Sequence, residues 1–107
     1  MPPDLRKLLD RLARDLRELY GDRYRDLMLY GSYARGEADD GSDVDLLLLL
    51  EGDVNPVREL RRTQAVKWPL ALEAGYAVFL LPVSVDEYER SDEPFLWNVR
   101  REGIPTA

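Results

Sequence analysis

The chain has 107 residues, a length that predicts a single domain over 1–107 with one core, which the 45% of hydrophobic residues supply. Its 21 acidic and 15 basic residues leave a net charge of −6, the wrong balance for a protein that holds duplex DNA through its phosphates. There is no Cys and no His, so disulfides, thiolate zinc sites, Cys nucleophiles, His bases and His-ligated metals are excluded. Chemistry is left to carboxylates, hydroxyls, Arg, Lys, backbone amides or a metal held by oxygen. The N-terminus lacks the apolar run of a signal segment, and apolar runs such as Leu46 to Leu50 are far short of the ~20 residues of a membrane span. A cytoplasmic protein with no membrane contact is expected.

Leu5, Leu8, Leu9, Leu12, Leu16 and Leu19 recur at helical spacing, with Pro3 in the first turn and Gly21 as the stop. A short strand follows over Asp26 to Tyr30 and ends at Gly31-Ser32, where residues 32–36 predict a short helix. Glu37 to Gly41 reads as a polar loop. Val44 to Leu50 is apolar on both faces after Asp45, the pattern of a central strand covered on both sides. Asn55-Pro56 opens a helix expected to run to about Val66, with Pro69 forcing a kink or restart near Trp68. Tyr76 to Val83 reads as a third strand. Ser84-Val85-Asp86-Glu87 matches a capping box that opens a short helix, and Pro94 to Glu102 is a last helix stopped by Gly103 and Pro105. The fold class is α/β (α+β): a small mixed sheet of three to four strands flanked by helices. Trp68 and Trp97 are expected as core or interface anchors. Phe95, Leu96, Trp97 and Val99 cannot all face one core from a single helix, so part of that set is expected to meet a partner.

The chemistry concentrates in Gly31-Ser32-Tyr33-Ala34-Arg35-Gly36 and, five residues on, Ser42-Asp43-Val44-Asp45-Leu46. Positions i and i+2 of a strand share a face, so Asp43 and Asp45 are expected side by side at the mouth of an otherwise leucine-rich strand. Adjacent carboxylates repel, and burying them unpaired is costly. With no His or Cys available, a hard cation such as Mg²⁺ is the natural counter-charge, and two such ions would suit in-line displacement at phosphorus. The strand–turn–helix at Gly31-Ser32 points free backbone amides outward, an arrangement that suits a phosphate chain. Gly31 permits close approach, and Ser32 adds a hydroxyl. Arg35 either meets phosphate or pairs with a neighbouring acid. A Gly-Ser turn, an Asp-x-Asp or a surface Arg is each commonplace; the specificity lies in their combination. Tyr33 beside the turn is a base-stacking candidate, although packing explains such a residue more often.

These motifs resemble the signature of the polymerase-β-like nucleotidyltransferases, and in length and element order the chain is most similar to the minimal nucleotidyltransferases of the MntA antitoxin type. The resemblance implies that Gly31, Ser32, Arg35 and Ser42 bind nucleotide while Asp43 and Asp45 bind two Mg²⁺ ions and are catalytic. It implies transfer of a nucleoside monophosphate, taken as AMP, from ATP or another NTP to a hydroxyl, with release of pyrophosphate. In the antitoxin branch the acceptor is a tyrosine of a HEPN-type toxin, which would be this chain's partner; homo-oligomerisation stays open. One departure stands out. Many active members carry a third carboxylate on the third strand, where this chain has Phe79, or Ala77 on the same face. Glu73, just before that strand, is a candidate substitute by position, although a helix-surface acid is its plainer reading. An antitoxin that neutralises its partner by contact alone is therefore the alternative.

Overall fold

The computed structural model describes residues 1–106 as a four-stranded mixed sheet with helices on both faces. In chain order the elements are α1 (Pro3–Tyr20), β1 (Tyr24–Tyr30), α2 (Ser32–Arg35), β2 (Val44–Leu50), α3 (Pro56–Ala74), β3 (Val78–Ser84), α4 (Val85–Arg90), α5 (Pro94–Glu102) and β4 (Ile104–Pro105). The strand order is β3-β2-β1-β4, with β2 antiparallel to β1 and parallel to β3. The parallel pair needs a crossover, and α3 provides it.

Alternation along β2 sorts the leucines into two cores. Val44, Leu46, Leu48 and Leu50 point to one face and pack beneath α1 and α3. Leu47 and Leu49 point to the other, where Met28, Val83, Leu96 and Val99 close a smaller cluster under α5. Every residue of β2 except Asp45 is buried, as its two-sided apolar pattern predicted. The leucine stripe of α1 is buried as expected, apart from the half-buried Leu19.

Both predicted side-chain caps form. Asn55 accepts from the Arg58 amide at 3.1 Å, and the Ser84 hydroxyl accepts from the Glu87 amide at 3.1 Å. Three expectations are corrected. First, α3 runs unbroken through Pro69 to Ala74. A proline inside a helix removes one backbone bond, but Leu70 and Ala71, directly after it, are buried in the core beneath α1, and that burial holds the last turn helical. Second, a short strand, β4, follows Gly103 where only a stop was expected. Met28 pairs with Pro105 and Leu29 with Ile104, and the Thr106 amide donates to the Leu27 carbonyl at 3.0 Å. Third, of the two places expected for the tryptophans, core or interface, the core is excluded: Trp68 and Trp97 are both exposed. Within α5, Leu96 and Val99 are buried while Phe95 and Trp97 are exposed, so the helix does divide its apolar residues between core and surface. No helix among the described residues is long and apolar enough to cross a membrane.

Candidate active site

Asp45 is the second residue of β2, on the sheet face that α5 only partly covers. Its register neighbours are Tyr30 on β1 and Phe79 on β3. Tyr30 is braced by Phe95 of α5, edge-on with ring centres 5.4 Å apart, whereas Phe79 is 59% exposed. Asp43 precedes the strand and is exposed. The two carboxylates open into different depressions. Asp43 lines a cleft of about 620 Å³ together with Asp4, Asp39, Asp40, Tyr33 and Tyr76. Asp45 lines a smaller one of about 370 Å³ together with Tyr30, Lys67 and Phe79.

The electrostatics show what this mouth lacks. Burial pushes the Asp45 carboxyl above its usual range and the charge of Asp43 adds to the shift, while Arg35 opposes it. Arg35 has other partners: its Nε donates to Glu37 at 3.1 Å and its Nη1 to Glu102 at 3.2 Å. The residues lining the larger cleft include four aspartates and no Lys or Arg. A triphosphate could enter only with its charge offset, and hard oxygen donors short of a counter-charge fit a divalent cation such as Mg²⁺. Among the described residues no three carboxylates converge on one point; Asp43 and Asp45 are the pair whose charges act on one another.

The turn beside them is shaped by Asp45 itself. Gly31 has φ 76° and ψ −155°, a conformation essentially reserved for glycine, and a Cβ there would collide with Asp45 Oδ2. The glycine seen in the sequence as room for a ligand is thus also room for the carboxylate. Ser32 opens α2, whose first amides have no partner within the helix. The Ser32 carbonyl accepts from the Glu37 amide at 2.9 Å, and Gly36, left-handed at φ 73°, ends the turn. Ser42 braces the following loop: its hydroxyl accepts from the Asp39 amide at 2.9 Å, while Asp39 also accepts from the Gly41 amide. Tyr33 packs edge-on against Tyr76 at 6.2 Å and lines the Asp43 cleft. The Tyr76 hydroxyl donates to Asp4 at 2.9 Å, and burial together with that bond pushes its pKa to about 12.

Of the two positions considered for a third acid, Phe79 lies directly opposite Asp45 and Ala77 falls before β3. Glu73 sits on the surface of α3, paired with Arg11 at 3.4 Å, in a depression that neither Asp43 nor Asp45 lines. Its plainer reading, a helix-surface acid, describes its place. One residue escaped the sequence reading. Lys67 is buried and shares the Asp45 depression; its ammonium donates to the Val78 carbonyl at 2.9 Å, and burial lowers its pKa. The signal was its position with Glu59, Thr63 and Leu70 on the inward stripe of α3.

A sequence model described as the nucleotidyltransferase domain matches residues 9–102. A candidate protein adenylyltransferase of Methanocaldococcus jannaschii is 32% identical over 89 residues, 81% of this chain and 58% of its own length. The chain thus spans somewhat over half of that relative. A toxin–antitoxin complex crystallised with AMP-PNP superposes with a TM-score of 0.65 at 18% identity, covering 95% of this chain and 72% of that one. A tri-AMPylated HEPN toxin of Shewanella oneidensis in complex with an MNT antitoxin gives a TM-score of 0.58 at 15% identity, covering 95% and 71%. At these identities the structural likeness is one of fold.

Proposed function

The chain belongs to the nucleotidyltransferase domain family, and from that membership we propose that it transfers AMP from ATP to a hydroxyl group of a protein. The observation that carries this reading is the mouth of β2, where Asp45 lies against Gly31 and beside the charge of Asp43, and where Arg35, the cation that opposes that charge, is tied to Glu37 and Glu102. Asp43 and Asp45 would hold Mg²⁺, two ions in all, and the metal when bound would offset the charge of the triphosphate. Gly31 keeps the space above Asp45 open, and the amides opening α2 donate to phosphate oxygens. Arg35 and Ser42 complete the nucleotide contacts. Arg35 reaches a phosphate by leaving Glu37 or Glu102, solvent-exposed pairs that water and salt weaken. In the transfer the acceptor oxygen bonds to the α-phosphorus and the bond from that phosphorus to the bridging oxygen breaks. Pyrophosphate leaves with the bridging oxygen, and the acceptor proton passes to solvent.

The acceptor in this reading is a tyrosine of a HEPN-type toxin, which the chain serves as antitoxin. The AMPylated toxin in the Shewanella oneidensis complex and the adenylyltransferase name of the Methanocaldococcus jannaschii relative support it. So does the acceptor chemistry. A phenol, with a pKa of ~10, gives up its proton more readily than a sugar hydroxyl, and this site lacks a third carboxylate to take it. Phe79 opposite Asp45 favours a second reading, neutralisation by contact alone. Incubating a HEPN-type toxin from the neighbouring reading frame with the chain, ATP and Mg²⁺ separates the two. The expected result is a toxin heavier by AMP on tyrosine with pyrophosphate released, and no change with Asp43→Asn plus Asp45→Asn. A toxin neutralised without gain in mass supports the contact reading instead.

A further inference from the structure

The depression that holds Asp45 does not end at the site. It is lined also by Phe79, Lys67 and Gln64, and Gln64 in turn lines a second, more open depression with Ala65, Trp68 and Pro69 on the outer side of α3. The two depressions are neighbours that share the Gln64 side chain as a wall. Direct contacts trace the same path. The Lys67 ammonium lies 5.5 Å from the centre of the Trp68 ring and donates to the carbonyl of Val78, the residue before Phe79. Trp68 is 57% exposed and Leu72, one turn further along α3, is 64% exposed. Single exposed apolar residues are ordinary on a protein surface. Here Phe79 lines the depression of the half-buried Asp45 and Trp68 lines the one beside it, with Leu72 one turn beyond Trp68 on α3, and together they make an exposed apolar strip.

We propose that this strip is the docking surface for the protein acceptor, which anchors on Trp68 and passes over Phe79 so that its hydroxyl is delivered to Asp45. The inference rests on the transfer reading given above. Three observations choose the occupant. The strip ends at Asp45, so its occupant lies against the reacting atoms, and a second copy of this chain seated there would shut the acceptor out. Lys67 is the one cation among the residues lining the two depressions; it is 7% exposed and its ammonium is committed to the Val78 carbonyl, so a polynucleotide acceptor would find nothing to offset its phosphates. An exposed tryptophan beside a shallow apolar hollow is the side chain from which protein interfaces most often draw their binding energy.

The test compares two acceptors, the HEPN-type toxin and N-acetyltyrosinamide, with wild-type protein, Trp68→Ala, Leu72→Ala and Trp97→Ala. Trp97 is also exposed but lies on α5, outside the strip, and serves as the control. The expected result is a KM for the toxin raised about tenfold or more in Trp68→Ala and less in Leu72→Ala. Its kcat, its affinity for Mg²⁺-ATP and its rate with N-acetyltyrosinamide should stay within about twofold of wild type, and Trp97→Ala should match wild type throughout. In Trp97→Phe protein, Trp68 is the sole tryptophan, and its emission should shift to the blue when toxin is added. An unchanged toxin KM in both strip variants, an equal loss with the small acceptor, or a dimer sealed through Trp68 in sedimentation overturns the docking surface while leaving transfer standing. If wild-type protein labels neither acceptor, transfer itself fails and the docking surface falls with it.

Discussion

Gly31 and Asp45 constrain one another, and substitutions at each should read differently. At φ 76°, ψ −155° any other residue is strained, and its Cβ meets the Asp45 carboxylate. Gly31→Ala should therefore cost about 1–3 kcal/mol in urea denaturation while far-UV circular dichroism stays near wild type, and it should weaken Mg²⁺-nucleotide binding by displacing Asp45. Asp45→Asn should act in the opposite sense on stability. The folded-state pKa of Asp45 is raised, so folding favours its protonated form, and that contribution is lost as pH rises through the raised value. At pH 7 the carboxylate is a burden on the fold. Asn should raise the Tm of the ligand-free protein by a few degrees, with the gain shrinking towards pH 4. A fall in Tm at neutral pH would show that Asp45 has a partner the geometry does not reveal. The motif residues were legible because the spacing of glycine, serine and aspartate is local information. The collision of Gly31 with Asp45 was not, because it arises only when β1 and β2 pair.

At the scale of elements, α3 and the register of β2 against β3 carry the predictions. Buried Glu59 on α3 accepts from the Tyr20 hydroxyl at 3.0 Å, from Arg58 at 3.1 Å and from Arg62 at 3.3 Å. Burial alone would raise its pKa, but the Tyr20 and Arg58 bonds and the arginine charges outweigh it and lower the value. A lowered folded-state pKa means stability that is present above the ordinary glutamate range and lost as pH falls through the lowered value. Glu59→Gln should cost about 2–3 kcal/mol at pH 7, and the difference from wild type should narrow below about pH 4. The register offers a second experiment. Phe79 faces Asp45, so Phe79→Asp supplies the acid that this strand lacks. It should raise kcat with N-acetyltyrosinamide, by up to ~10²-fold if the new carboxylate accepts the proton. Glu73→Gln, remote and paired with Arg11, should leave that rate unchanged. The caps, the leucine stripe of α1 and the two-sided β2 could be read from sequence because each follows a local period or a local hydrogen bond. Pro69 within α3 and the pairing of β4 could not. In both, tertiary packing overrides a local stop signal.

For the whole molecule, the net charge of −6 and the four aspartates around the larger cleft are of one sign with a nucleotide triphosphate, which in the proposed reading a divalent cation would offset. Nucleotide affinity should therefore depend steeply on Mg²⁺. The sheet makes that arrangement affordable in folding terms: leucines on both faces of β2 bury a core large enough to hold a carboxylate at its open end. The fold class followed from the alternation of helical and strand periods. The exposed aromatic strip from Phe79 to Trp68 did not, since an apolar residue in sequence does not announce whether anything will cover it. The central claim, that the mouth of β2 with the Gly31-Ser32 turn holds nucleotide through a metal, is tested most directly by calorimetric titration of AMP-PNP with and without Mg²⁺. The account predicts binding by wild-type protein only when Mg²⁺ is present, and none by the Asp43→Asn plus Asp45→Asn protein, which remains folded. Equal binding by the two proteins, or binding by wild type that ignores Mg²⁺, would contradict it.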